Sequence, residues 1–425
     1  MLNLIKATYR RIFDYLVSPP AALLVGEPFF RLMMLREENV TDFHNLKRIL
    51  IIRLDEIGDV VMTSPFLREL RRNLPDAWIT LIVKPAVYNL VELCPYVNEV
   101  LTYDWNAQGR FWQVKRHWRA LKLAKKHMWK RRFDLAIIPR FDVDYYHAAF
   151  VAYFSGASSR IGYTENINEH KKRFNANYDC LFTHAVTDNA LKHEVEHNLD
   201  AIIYLSGIIQ EKHLEIWTNS EDEQLGESIL KTCCVNTKSK IVAFGVGAGA
   251  QKRIWPIQNF TELAMWLRKE QYCTHILVVG GPGEESLGHE LVSNLGNIVI
   301  NAVGRTTLRQ TAALLKRCCL YVGNDSGPMH LAAAAGVPTV EISSFPKNAS
   351  PYDPNSPLRF HPWGVPYTVL QPQQALYPCV DVCTAKEAHC ITAISVYDVQ
   401  NAILKMLQKV RSSSEGVNSQ CAAQP

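Results

Sequence analysis

From Lys47 onward the chain alternates short runs of Ile, Leu and Val with longer amphipathic stretches, and it does so twice. RILIIRL, WITLIVK, NEVLTY and FDLAIIP make the first series. After a polar passage around Ser220 to Glu227, IVAFGVG, HILVVGG, NIVINAV, CLYVGND and VPTVEIS make the second. Short β-branched runs of this kind suit strands covered on both faces, and the helical spacing between them suits crossover helices, which join parallel strands. The pattern predicts two doubly wound α/β halves divided near residue 225, with ligands at the carboxyl ends of the strands. A length of 425 residues agrees, because one ordinary core does not grow that large.

Around this core the reading assigns residues 1–46 to a peripheral segment, 47–225 and 226–411 to the two domains, and 412–425 to a disordered tail. Ile5–Val17, IKATYRRIFDYLV, has the pattern of a basic amphipathic helix, suited either to an anionic membrane face or to packing on the domain surface. A last helix is expected over Ser395–Val410, and the proline-rich passage Ser343–Tyr377 reads as an extended loop.

The net charge of +5 is local: ten Lys or Arg and no acid lie between Arg110 and Arg132, leaving 36 basic against 41 acidic residues elsewhere. In RFWQVKRHWRALKLAKKHMWKRR, the residues Phe111, Val114, Trp118, Leu121 and Met128 fall near one helical face, with Lys115, Arg119, Lys122 and Lys126 among the cations beside it. The cysteines number eleven, an odd count with two adjacent pairs in apolar contexts, which favours a reducing cytosol over a disulfide framework. Asp14 and Pro19-Pro20 interrupt the N-terminal apolar stretches, so neither a secretory signal nor a membrane span is expected.

Four stretches carry chemistry. In RLDEIGDVVMTSPFLREL the first strand ends at Leu54, a loop from Asp55 to Asp59 follows, and Val60–Arg72 has helical spacing with Pro65 in its first turns. Asp59 suits either a helix cap or a general base facing a hydroxyl nucleophile. In VGNDSGPMHLAAAAGVPTVEI, Asp325 and Ser326 can cap a helix opening at Gly327, Pro328 suits its first turn, and His330 lies one turn in. Free amides and small residues there suit a nucleotide diphosphate. In VAFGVGAGAQKRIWP the glycines Gly245, Gly247 and Gly249 lack the dinucleotide spacing, and Lys252 or Arg253 reads as an oxyanion partner. In VVGGPGEES, Glu284 fits a ribose contact or a helix N-terminal acid.

The pair RLDEIGDVVMTSP and VGNDSGPMHLAAAAGVPTV, with KRIWP between them, resembles glycosyltransferase family 9, the lipopolysaccharide heptosyltransferases, over roughly residues 48–410. The resemblance implies a GT-B fold, two Rossmann-like doubly wound parallel-sheet domains with an inter-domain cleft. It implies metal-independent, inverting transfer of heptose from ADP-heptose to a lipopolysaccharide core acceptor, the first domain binding acceptor and the second the nucleotide sugar. Asp59 matches the family's catalytic base. Lys252, Arg253, Ser326, Gly327 and His330 are assigned to the donor phosphates, and Asp325, Glu284 and Gly247 to the nucleotide. The family usually has Lys two residues before the Trp-Pro, where Arg253 stands here beside Lys252, so both are retained.

Beside a glycolipid substrate the basic stretch reads as an inner-membrane surface on the cytoplasmic side rather than a nucleic-acid site. The alternatives are another nucleotide sugar or acceptor, a nucleotide-sugar epimerase of the same architecture, or a non-catalytic binder. Three further clusters are weaker. Asp142-Val143-Asp144 matches a metal-holding D-x-D, and His193-Glu194-Val195-Glu196-His197 matches H-E-x-x-H without a third ligand. Cys379, Cys383, His389 and Cys390 can be read as a zinc or iron site, but their spacing fits a closed tetrahedron poorly. A structural or redox-sensitive role is expected for them, and no cofactor or metal.

Overall fold

The computed structural model describes residues 18–33, 35, 45–109 and 111–421. The chain divides into two compact units, Met1–Lys212 and His213–Pro425. That division precedes the boundary expected near residue 225, because the helix Ser220–Thr232 packs within the second unit. Its Asp222 accepts a 2.7 Å bond from Arg309 Nε, and a Cβ at its Gly226 would touch Ala313 and Leu314.

The first unit holds six parallel strands, β1 (Arg48–Arg53), β2 (Trp78–Val83), β3 (Glu99–Thr102), β4 (Leu135–Ile138), β5 (Ser159–Tyr163) and β6 (His184–Val186). Their order is β3-β2-β1-β4-β5-β6. The second holds β7 (Ile241–Gly245), β8 (His275–Val279), β9 (Val299–Asn301), β10 (Leu320–Asn324), β11 (Thr339–Ile342) and β12 (Tyr367–Leu370), ordered β12-β11-β10-β7-β8-β9 and again all parallel. Counted from its own first strand, each sheet follows the same doubly wound order. The reversal of direction falls beside β1 and β4 in one unit and beside β7 and β10 in the other, where such sheets bind ligands. β12, inside the passage expected to be loop, was missed because prolines flank its four residues.

Both sheets are buried as their apolar runs require. Leu50, Ile52, Ile82, Ala136 and Ile138 pack with Phe150 and Tyr153 of the helix Ala148–Phe154 in the first unit. Phe244, Trp255, Phe260, Val322, Val340 and Ile403 share the second core. The expected helix Val60–Arg72 is two helices, Ile57–Met62 and Ser64–Asn73, hinged at Thr63. Pro65 cannot sit in a helix interior without a cost of about 3 kcal/mol, so it opens the second helix instead.

Within the peripheral segment a helix, Pro19–Leu32, buries Phe30 edge-on to Tyr153. The candidate helix Ile5–Val17 lies outside the described residues. The last helix runs Val396–Cys421, so it continues through most of the stretch expected to be a disordered tail. No proline interrupts Arg411–Cys421, and the single Gly416 costs a helix only about 1 kcal/mol.

Candidate functional site

In the first unit the loop after β1 is organised by a buried cation. Arg53, 1% exposed at the end of β1, donates to the Pro139 carbonyl at 2.7 Å and to Glu194 Oε1 at 3.0 Å. Its Nε lies 3.1 Å from Asp55 Oδ2, and its Nη2 is 3.4 Å from Asp59 Oδ1. Arg140 contacts the other oxygen of Asp55. Taking such ions out of water costs several kcal/mol each, so each needs partners. Within this set two guanidinium groups meet three carboxylates, which leaves one negative charge over. Asp55 and Glu194 side chains are 2% and 3% exposed, whereas that of Asp59 is 21% exposed. Of these three carboxylates, Asp59 is the one with substantial contact with water.

Asp59 also accepts the Glu56 backbone N–H at 3.2 Å, the reciprocal half of a capping box, so it is the third helical residue rather than the cap itself. Its contacts to the Arg53 guanidinium and the Glu56 amide are 3.4 and 3.2 Å long. Glu56 is engaged separately, by Lys84 at 2.5 Å and the Tyr146 hydroxyl at 2.9 Å.

The remaining acidic motifs of this unit are structural. Asp144 accepts the amides of Tyr146, Ala148 and Ala149, and Asp142 accepts that of Val143, so the D-x-D pair builds the turn before the helix Ala148–Phe154. In the H-E-x-x-H stretch, Glu194 serves Arg53, His193 caps its helix, and His197 stacks on Phe141 with ring centroids 3.8 Å apart. No zinc-binding set forms there among the described residues.

In the second unit, the loops after β7 and β10 are latched together. Asn324, fully buried at the tip of β10, accepts the Trp255 amide at 2.9 Å and donates to the Val246 carbonyl at 2.9 Å. Trp255, also fully buried, donates its indole N–H to Ile394. This latch brings Arg253 to the Asp325 turn: its Nη1 is 3.4 Å from Asp325 Oδ2, and its Nη2 donates to Asn355 at 2.5 Å. Lys252 is turned elsewhere, donating to the Cys383 carbonyl at 2.6 Å. Of the two cations that the sequence left open, Arg253 is the one that meets Asp325.

Ser326 is the N-cap of the helix Gly327–Ala334, but its hydroxyl donates to the Asn324 carbonyl and does not cap. The helix start therefore lacks a cap from the Ser326 side chain, which agrees with the free-amide reading of this turn rather than the capped one. Gly247 and Glu284 also meet. A Cβ on Gly247 would fall 1.9 Å from the Glu284 carboxyl carbon, and that carboxylate accepts the Gly281 amide at 2.7 Å. Burial pushes Glu284 up from the ordinary carboxylate range.

His330 is buried and its pKa is pushed down to about 4 by burial and by His361. It is neutral at physiological pH, so the phosphate role expected for it reduces to an uncharged one. Glu341, 1% exposed in β11 with Oε2 unbonded, was not foreseen. Burial and the neighbouring Asp325 push its carboxyl well above the usual range; burial raises Asp325 as well, and Arg253, which meets Asp325, opposes both shifts. The available signal was a charged residue inside an apolar strand, shared by Arg53 in RILIIRL and Glu341 in VPTVEIS.

On the basic helix Trp112–Leu123, Lys115, Arg119, Lys122 and the following Lys126 are all exposed, as is Trp118 at 68%. Met128 does not share their face: it is fully buried, because a wide π turn at Ala124–Met128 shifts the helical phase.

Residues 121–389 match the model of glycosyltransferase family 9 (heptosyltransferase). The chain belongs to this family. Among its relatives, lipopolysaccharide heptosyltransferase 2 of Salmonella typhimurium is 25% identical over 322 residues, 73% of this chain and 84% of the relative. The protein of the same name from Escherichia coli is 26% identical over 324 residues, with the same coverage. A family 9 glycosyltransferase of Veillonella parvula superposes with a TM-score of 0.71 at 21% identity, covering 88% of this chain and all of that one. The E. coli ADP-heptose LPS heptosyltransferase II gives 0.62 at 22% identity, covering 86% and 99%. The family 9 chain is thus a glycosyltransferase of the α/β GT-B class.

Proposed function

We propose that this family 9 enzyme transfers heptose from ADP-heptose to a lipopolysaccharide core acceptor with inversion at the anomeric carbon. The first unit supplies the base, Asp59, which takes the proton of an acceptor hydroxyl as that oxygen attacks. The second supplies the leaving-group site, where Arg253 and the uncapped amides at Ser326 and Gly327 receive charge building on the diphosphate. Gly247 with Glu284 suits the nucleoside, Glu284 accepting hydroxyl hydrogen bonds. Lys252 acts from its place beside Arg253, and His330 lines the site as a neutral group. The Arg253–Asp325 pair carries this reading, because it holds a guanidinium at an open helix N-terminus where an incoming diphosphate can displace one carboxylate with two acidic groups.

The test is an incubation of the purified chain with ADP-heptose, with and without a core glycolipid lacking the added heptose. Equal amounts of ADP and heptosylated product are expected only when acceptor is present. Conversion of the donor sugar without acceptor would assign an epimerase instead.

The same reading places the chain on the cytoplasmic face of the inner membrane. Among the described residues no helix is long and apolar enough to cross a membrane. Leu24 and Val25 of the helix Pro19–Leu32 are more than 70% exposed, and a groove of about 880 Å³ beside them is lined by Phe29, Val114, Trp118 and Leu121, with Lys122 and Lys125 at hand. Exposed aromatic and aliphatic groups flanked by Lys115, Lys122 and Lys126 suit an anionic lipid surface, with each lysine contributing about 1 kcal/mol. The double substitution K122Q/K126Q is expected to lower partition onto vesicles of anionic phospholipid by about 30-fold. Equal sedimentation of both proteins would remove this surface from the proposal.

A further inference from the structure

The passage from Cys379 to Cys390 contains no regular strand, and its small local core is built from Cys379, Cys383 and Cys390 with Ala375, Leu376 and Ala385 around them. So little apolar surface does not hold a loop by burial alone, and a cross-link is the usual remedy. The three sulfurs and a ring nitrogen of His389 all lie within 4.8 Å of one another, although the C-x3-C and His-Cys spacing suggested a poor tetrahedron.

The edges have a definite size. With Zn–S about 2.3 Å and Zn–N about 2.05 Å, a tetrahedral ion sets sulfur to nitrogen edges at about 3.6 Å and sulfur to sulfur edges at about 3.8 Å. His389 Nδ1 lies 3.6 Å from Cys379 Sγ and 3.5 Å from Cys390 Sγ. Two of the sulfurs also accept backbone amides, Cys379 from Thr384 at 3.3 Å and Cys390 from Leu376 at 3.4 Å, which orients them.

We infer that Cys379, Cys383, His389 through Nδ1, and Cys390 hold one zinc ion as a closed structural site. Three soft thiolates and one imidazole complete a tetrahedron with no open position, the ligand set of structural rather than catalytic zinc. On binding, the thiols release their protons to solvent, and no electron changes hands. A disulfide between two of these cysteines would leave the third thiol and His389 without a role.

The site also reaches the donor loop. The Cys383 carbonyl receives Lys252, next to Arg253, so the ion fixes one side of the turn Gln251–Arg253. This consequence rests on the donor-site reading; the zinc assignment does not.

The full-length chain, purified under reductant without chelator, is expected to contain about one zinc per molecule by elemental analysis and native mass spectrometry. Cobalt exchanged into it is expected to show thiolate-to-metal charge-transfer absorption in the near ultraviolet. C379S/C390S is expected to lose the metal. A wild-type protein with no zinc, with iron in its place, or with a disulfide among the three cysteines would overturn the assignment, as would full zinc occupancy in the double variant. These measurements on the wild type stand even if the variant does not fold. Removing zinc is further expected to raise the KM for the nucleotide sugar several-fold. An unchanged KM in the zinc-free protein would overturn the link to the Lys252 turn while the metal site stood.

Discussion

Replacing Asp59 with asparagine is expected to lower kcat by about 10²–10⁴-fold, the range a positioned general base contributes. ADP binding, which belongs to the second unit in this reading, is expected to change little. Asparagine keeps the size and can still accept the Glu56 amide, so the capping box is preserved and loss of activity is not loss of fold. The substitution removes the one carboxylate of the Arg53 set with solvent access and leaves Asp55 and Glu194 in place. Measured by ADP release and by calorimetric ADP titration, retained turnover would return Asp59 to the role of a helix-terminal acid and nothing more.

The second large effect is at Arg253. A leaving diphosphate gains negative charge in the transition state, and removing one preorganised donor of this kind typically costs about 10²–10³-fold in kcat. R253M is therefore expected to lose activity in that range, while R253K retains a part, because an ammonium keeps the charge without the fork that meets Asp325 and Asn355. K252M is expected to be milder, since Lys252 is committed to the Cys383 carbonyl. Steady-state kinetics at saturating acceptor separates the cases. A K252M defect larger than that of R253M would exchange the two roles.

The fold was legible because the apolar runs that mark strands are local properties: RILIIRL or CLYVGND reads as a buried parallel strand without any knowledge of its neighbours. So too were the loops carrying Asp59 and Asp325, since Gly58, Gly327 and Pro328 mark where a strand gives way to a helix. What could not be read is long-range. The pairing of Arg53 with Glu194 joins positions 141 residues apart, and the meeting of Lys252 with Cys383 spans 131. The choice between Lys252 and Arg253 was fixed by Asn324 and Trp255, whose interlock has no local signature. The cluster of Cys379, Cys383, His389 and Cys390 was visible in the sequence, but the closeness of its four donor atoms was not: motif spacings describe regular zinc knuckles, and an irregular loop can bring ligands together without obeying them.

Each sheet is complete in itself, and the polypeptide passes from one to the other only once, between Lys212 and His213. Loops that would recognise an acceptor and loops that would recognise a nucleotide sugar are thus encoded on separate, contiguous stretches of gene. On the proposed division of roles, selection can diversify the glycan that is decorated while leaving the activated sugar unchanged, simply by rewriting the first half of the reading frame.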